Sequence, residues 1–242
     1  MRKAVIFDLD GTLSDSIMSI KNSCDAALAP LGFGPYTVEQ YKYFVGDGAA
    51  NLIKRALRAG GDEQLIHFED GFRRYREIFA EHCMDGVHPY EGIRELLTAL
   101  KEKGLQIAVL SNKPHQETIR VIENLFGKDY FDVIQGQKPE VAIKPSPEGV
   151  FQILEQLGMR DYLAQGHSVK NTDDATVLSK DTADLEDVLL YVGDTGTDMQ
   201  TGKSAGAFTI GCLWGFRERK ELEEHHADAI IENPLQLLDY ID

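Results

Sequence analysis

At 242 residues, 43% of them hydrophobic and 27% charged, the chain is long enough for one large α/β domain or a core with a smaller second domain, and its composition excludes a disordered or fibrous protein. A formal net charge of −15 argues against nucleic acid as a partner, which needs a basic surface, and means that an anionic ligand must be held by a local cationic centre against the overall field. No segment approaches the roughly eighteen apolar residues of a membrane span, and Cys24, Cys83 and Cys212 follow no metal-ligand or redox spacing. With Met1-Arg2-Lys3 leading directly into an apolar run, the expectation is a cytoplasmic protein without membrane contact.

The first element is that run, Ala4 to Phe7, which reads as a strand buried on both faces and ends in two carboxylates, Asp8 and Asp10, before the tight exit at Gly11. From Asp15 to Leu31 apolar residues recur with helical period at Ile17, Ile20, Cys24, Ala27, Leu28 and Leu31. A second helix begins near Thr37. A third runs from the Gly46-Asp47-Gly48 turn to about Arg58, and a longer one is expected from Asp62 to His82. Residues 15–88 therefore read as a four-helix unit interrupting an α/β chain. From Pro89 the pattern alternates. Helices are expected over Glu91–Lys103, Pro114–Leu125, Pro147–Leu157, Asp198–Ala205 and Pro234–Ile241. Strands are expected over Gln106–Leu110, Tyr130–Ile134, Val188–Val192, Phe208–Leu213 and Ala229–Ile231. The fold class is α/β: a Rossmann-like three-layer core of residues 1–14 and 89–242 with a mainly parallel sheet, plus the inserted helical unit. The polar, acidic stretch 165–187 is too long for an ordinary connection and reads as a flexible excursion or a hairpin. His225-His226 falls in an acidic surface helix and reads as solvent-facing rather than as a ligand pair.

Parallel strands end at one edge, so Asp8, Asp10, Ser111-Asn112, Lys144 and Asp194, with Asp198 four residues on, should converge there. Against Asp8, Asp10, Asp194 and Asp198, Lys144 alone cannot balance the charge. A divalent cation brings the sum close to neutral, and hard oxygen ligands select Mg²⁺. Taken singly, Asp8 and Asp10 are also consistent with a turn cap, Ser111 and Thr195 with strand-end caps, and Lys144 with a solvated lysine.

In this order the segments Asp8-Leu-Asp-Gly-Thr-Leu13, Val-Leu-Ser111-Asn-Lys, Ile-Lys144-Pro-Ser-Pro and Gly193-Asp-Thr-Gly-Thr-Asp198 resemble the four motifs of the haloacid dehalogenase superfamily, and within it the phosphoglycolate phosphatase group with a helical cap. The resemblance implies a Mg²⁺-dependent phosphatase for a small phosphorylated metabolite, phosphoglycolate first, acting through an aspartyl-phosphate. It implies Asp8 as nucleophile and Asp10 as acid/base. Mg²⁺ would be held by Asp8, Asp10 (through its backbone carbonyl) and Asp194. Gly11, Thr12, Ser111, Asn112 and Lys144 would bind the phosphoryl group, with Thr195 and Asp198 supporting them. Residues 15–88 become the cap, and Gly46, Asp47 and Gly48 its candidate specificity turn, with Lys42, Arg55 and Arg58 as the nearest cations. Arg73, Arg74 and Arg76 read as a solvated face. Trp214-Gly-Phe-Arg217 reads either as a site edge or as a core aromatic with a surface arginine. A phosphoglucomutase-like phosphotransferase and a pyrophosphatase remain as alternatives, with a receiver-type signalling module outside enzymology. A dehalogenase is disfavoured, because that chemistry needs neither Asp10 nor a metal. The assembly is expected to be a monomer or homodimer.

Overall fold

The computed structural model describes residues 2–159 and 187–241. Six strands form one sheet: β1 (Arg2–Phe7), β4 (Gln106–Pro114), β5 (Val133–Gln137), β6 (Asp187–Gly193), β7 (Phe208–Cys212) and β8 (Ala229–Ile231). Their order is β5-β4-β1-β6-β7-β8, and every pairing is parallel. Along β1 the side chains alternate between two packed faces, Val5 and Phe7 joining one apolar cluster and Ala4 and Ile6 the other. Both faces are covered, which is why this strand reads as an unbroken apolar run rather than an alternating one. Helices α5 (Ile93–Glu102) and α6 (His115–Phe126) cover one face; α7 (Glu148–Gln156) and α8 (Gly196–Ser204) cover the other. A short α9 (Arg219–Glu224) and a 3-10 helix (Pro234–Tyr240) follow among the described residues of the core.

Between β1 and β4 the chain makes a two-stranded ribbon, β2 (Ser14–Asp15) against β3 (His88–Pro89), which closes the base of a helical cap. The cap comprises α1 (Ile17–Leu28), α2 (Val38–Phe44), α3 (Ala49–Ala59) and α4 (Phe68–His82). Thr37 and Gln40 form a reciprocal capping box at the start of α2, a device that contributes about 1 kcal/mol. Ile53, Ala56, Leu57, Cys24, Leu28 and Tyr41 are fully buried between the cap helices.

Four sequence expectations shift. The last cap helix starts at Phe68 instead of Asp62, because Leu65 has φ +56° and the Asp62 carboxylate accepts the N–H groups of Ile66 and His67, closing a turn first. The strand expected from Tyr130 lies at Val133–Gln137, and β4 runs past Leu110 through an irregular register to Pro114. His225 and His226 sit just past α9 rather than within it. The His225 ring packs on Gly196 and pairs with Gln200 at 3.0 Å, a helix-end contact. The stretch 165–187 lies outside the described residues, apart from Asp187 at the start of β6.

Candidate active site

The strand order reverses at β1: the chain moves outward through β4 and β5, then returns to β6 on the other side. That switch point leaves a crevice at the carboxyl ends of the central strands. Phe7 is in register with Val109 and Val192, so Asp8 leaves β1 flanked by Ser111 on β4 and Asp194 just beyond β6. The Asp8 N–H donates to the Val192 carbonyl at 2.9 Å. Lys144 enters from the loop before α7. Its Nζ lies 2.7 Å from Asp8 Oδ1 and 2.7 Å from Asp198 Oδ1. Asp198 is held by Thr195 in the capping box of α8: Thr195 Oγ1 donates to Asp198 Oδ2 at 2.6 Å, and the Thr195 N–H donates to it at 3.1 Å. Both Asp198 oxygens are therefore committed, one to Lys144 and one to its helix cap. Its geometry suits orienting the lysine.

Asp194 is fully buried. Thr12 Oγ1 donates to its Oδ1 at 3.2 Å and the Phe216 N–H to its Oδ2 at 2.7 Å. Two glycines make this approach feasible. A Cβ on Gly11, where φ is +94°, would sit 2.4 Å from Asp194 Oδ2, and one on Gly215 would sit 2.3 Å from Asp194 Cβ. Gly11 and Thr12, expected in the phosphate-binding set, have their N–H groups engaged within the turn and the Thr12 hydroxyl on Asp194. The Gly11 N–H donates to the Ser14 carbonyl, the Thr12 N–H to the Leu9 carbonyl and the Thr12 hydroxyl to Asp194, so the turn closes on itself and braces the carboxylate. Asn112 is also a brace. Its Oδ1 accepts the Lys144 N–H at 2.9 Å, and its Nδ2 donates to the carbonyls of Lys144 and Gly46, both at 3.2 Å.

Carboxylate oxygens of Asp8, Asp194 and Asp198 lie within 4.8 Å of one another. Burial pushes the Asp8 carboxyl well above its ordinary range, with Asp198 adding to the shift and Lys144 opposing it. Burial, then Asp198, pushes Asp194 up to about 7. Three buried carboxylates against the Lys144 ammonium leave a local excess of two negative charges, the amount one divalent cation neutralises. Asp8, Asp194 and Asp198 converge as an all-oxygen donor set, which suits a hard cation. A cation there reverses the direction of both shifts.

Asp10 does not belong to that cluster through its side chain. Lys113 Nζ contacts its two carboxylate oxygens at 2.7 and 2.9 Å, and Ser16 Oγ donates to Oδ1 at 2.6 Å. Any share Asp10 has in a cation site falls to its backbone carbonyl. Lys113 itself is buried and lies 4.8 Å from the centroid of the Phe79 ring on α4. The charge count drawn from sequence, four carboxylates against Lys144 alone, omitted this lysine. Ser-Asn-Lys directly follows an apolar strand, and that position was the available signal. Lys113→Met leaves Asp10 without its cationic partner; kcat is expected to fall roughly 10²-fold, within the range general acid–base catalysis supplies, with the thermal midpoint serving as the folding control.

A cavity of about 50 Å³ separates these groups from the cap. Asp8, Asp10, Ser111, Asn112 and Lys113 form its floor; Ile20, Val45, Leu52, Tyr75 and Phe79 form its roof, with Gly46 and Gly48 at the side. Lys113 is the lone cation among the described residues lining it. The cations expected from the cap are elsewhere: Arg55 pairs with Asp47, Lys42 with Glu39 at 3.0 Å, and Arg58 is exposed. Arg73 and Arg74 pair with Asp70 on the α4 surface.

Residues 5–164 match the family described as haloacid dehalogenase-like hydrolase. The chain belongs to that family. Among relatives, a phosphoglycolate phosphatase of Aquifex aeolicus is 30% identical over 245 residues, covering 99% of this chain and 97% of its own. One from Chromobacterium violaceum is 29% identical over 241 residues, covering 98% and 95%. A provisionally named phosphoglycolate phosphatase from Lactobacillus delbrueckii subsp. bulgaricus, solved by crystallography, superposes with a TM-score of 0.81 at 26% identity, covering 100% of this chain and 99% of that one. CbbY from Rhodobacter sphaeroides, crystallised with phosphate, shares the fold at a TM-score of 0.71 and 22% identity, covering 98% and 96%. Haloacid dehalogenase-like chains of this kind are phosphoric monoester hydrolases, and the cap-over-core architecture described above is theirs. No helix among the described residues is long and apolar enough to cross a membrane.

Proposed function

We propose that this hydrolase is a Mg²⁺-dependent phosphoglycolate phosphatase working through an aspartyl-phosphate on Asp8. The observation that carries the reading is the juxtaposition of Asp8 with Lys144 at 2.7 Å beside the buried Asp194 carboxylate, at the open end of the central strands. An Oδ atom of Asp8 attacks phosphorus in line. The P–O bond to the leaving alkoxide breaks as the Asp10 carboxyl delivers its proton to that oxygen. Asp10, then a carboxylate, takes a proton from water, whose oxygen bonds to phosphorus as the P–Oδ bond of Asp8 breaks. Lys144, Ser111 and the backbone amide of Asn112 hold the phosphoryl oxygens, and Asp198 with Thr195 fixes Lys144. Asp8, Asp194 and the Asp10 carbonyl would hold Mg²⁺, which would supply charge neutralisation where negative charge accumulates.

The substrate assignment is supported by the names of the relatives and by the cavity, which is small and largely apolar on the cap side. Lys113, held on the Asp10 carboxylate, is the cation that faces this cavity and supports an anionic substrate there. The test is a hydrolysis screen with Mg²⁺, comparing kcat/KM for phosphoglycolate, pyrophosphate, sugar phosphates and nucleoside monophosphates. Phosphoglycolate is expected to lead by at least about tenfold. A sugar phosphate returned as its isomer identifies a phosphotransferase, and preference for pyrophosphate identifies a pyrophosphatase; either result overturns the assignment.

A further inference from the structure

The loop that follows β7 connects two parts of the molecule that sequence separates by about 170 positions. Phe216 supplies the N–H that fixes Asp194 Oδ2. The next residue, Arg217, extends across to the cap. Its Nη1 donates to the Lys42 carbonyl and its Nη2 donates to the Val45 carbonyl at 2.7 Å, both at the C-terminal end of α2. Its Nε pairs with Glu221 at 2.9 Å, and the guanidinium lies 5.2 Å from the Tyr43 ring centroid. The Arg217 side chain is only 9% exposed. Its donors are thus committed to Glu221 and to main-chain acceptors rather than to solvent, and those carbonyls are ones a helix leaves without intrahelical partners at its end.

These acceptors lead directly into the Gly46-Asp47-Gly48 turn. A Cβ on Gly46 would lie 3.5 Å from Arg217 Nη2 and 3.6 Å from Thr195 Cγ2, so the turn packs directly on the arginine and on the cap residue of α8. From the opposite side Asn112 Nδ2 donates to the Gly46 carbonyl. The turn is therefore gripped between Arg217 and Asn112, two core residues, one beside Asp194 and the other beside Ser111. Asp47 is fixed separately within the cap by Arg55 and by Asn51 Nδ2 at 3.0 Å.

We propose that Arg217 is a positioning residue that sets the Gly46–Gly48 turn over the phosphoryl site, tying the wall that meets the organic part of the substrate to the loop that orients Asp194. The proposal rests on the phosphatase reading for its kinetic consequence but not for its structural one. Arg217 acts through the turn and touches no reacting atom. A planar guanidinium holding two carbonyls and a carboxylate at once has no equivalent in lysine, so the conservative variant restores charge without the full grip.

The test compares Arg217→Ala and Arg217→Lys with Arg219→Ala, an exposed arginine on the adjoining helix. Hydrogen exchange over residues 43–52 reads the turn directly. It is expected to accelerate at least tenfold in Arg217→Ala, by an intermediate factor in Arg217→Lys, and not in Arg219→Ala, with exchange in β1 and β4 unchanged. Kinetically, KM for phosphoglycolate is expected to rise about tenfold in Arg217→Ala. The inhibition constant for inorganic phosphate, which fills only the phosphoryl cradle, is expected to change less than threefold. Unchanged exchange over 43–52 overturns the proposal whatever the activity. Equal loss of phosphate and phosphoglycolate affinity also overturns it, since that pattern reports general loosening of the site. If no phosphomonoester is turned over, the phosphatase reading fails, and the exchange result alone decides the role of Arg217. If Arg217→Ala does not fold, the same exchange and affinity comparisons on Arg217→Lys decide.

Discussion

Asp8→Asn is expected to lower Mg²⁺-dependent turnover by roughly 10⁴-fold or more, the scale on which removal of a covalent nucleophile acts. The carboxamide keeps the shape of the side chain and its place beyond β1, so a folding defect is not the cause, and an unchanged circular dichroism spectrum checks this. The substitution removes a negative charge from a cluster in which three buried carboxylates face one lysine. Thermal stability without added cation should therefore hold or rise while activity disappears. This opposition separates a catalytic carboxylate from a structural one: a structural Asp8 loses stability with its charge. Retention of more than about 1% of wild-type kcat would falsify the nucleophile assignment. Trapping phosphate from a labelled substrate on acid-quenched wild-type protein, but not on Asp8→Asn, checks the covalent step independently.

Withdrawal of divalent cation is expected to have the second largest effect, and its pH dependence follows from the site. Burial raises Asp194 from 3.8 to about 7 in the folded chain, and Asp8 moves in the same direction. Between these values the native state holds a proton on Asp194 that the unfolded state has released, so the Asp194 contribution to stability falls as pH rises from about 4 to about 7. For Asp194 alone the shift corresponds to on the order of 4 kcal/mol. A divalent cation takes the place of that proton, and its benefit must grow as the proton leaves. At millimolar Mg²⁺ the thermal midpoint is expected to rise by more than about 5 °C at pH 8 and by less than about 2 °C at pH 5. Chelation with EDTA should reduce phosphatase activity to below about one thousandth, with recovery on adding Mg²⁺. Equal shifts in the midpoint at the two pH values would show that Asp8 and Asp194 do not form the cation site.

Sequence by itself determined the elements whose signal is local. Ala4–Phe7 reads as a doubly covered strand because both of its faces are apolar, and the change from helical periodicity to strand–helix alternation near Pro89 marks the return from cap to core. A parallel sheet then brings strand ends to one edge, which is why Asp8, Ser111 and Asp194 were legible as neighbours although separated along the chain. Boundaries set by a single side chain were not legible. The Asp62 turn delays α4, and the irregular end of β4 carries the strand past Ser111.

What only the tertiary structure decided is which partner each polar group takes. Nothing in the order of residues says that Lys113 pairs with Asp10, that Thr12 spends its hydroxyl on Asp194, or that Asn112 holds the Lys144 loop. A charge has no periodicity, and its role is fixed by which groups lie within about 3 Å once two distant segments meet. Arg217 shows the same limit from the other direction. In the sequence it is an arginine after an aromatic, equally suited to surface or site, and only its reach to the carbonyls of Lys42 and Val45 reveals that it grips the cap. The motifs carry the chemistry because each is a short local solution to placing one group at a strand end. The contacts between cap and core exist only where the two fold together, so no single motif reports them.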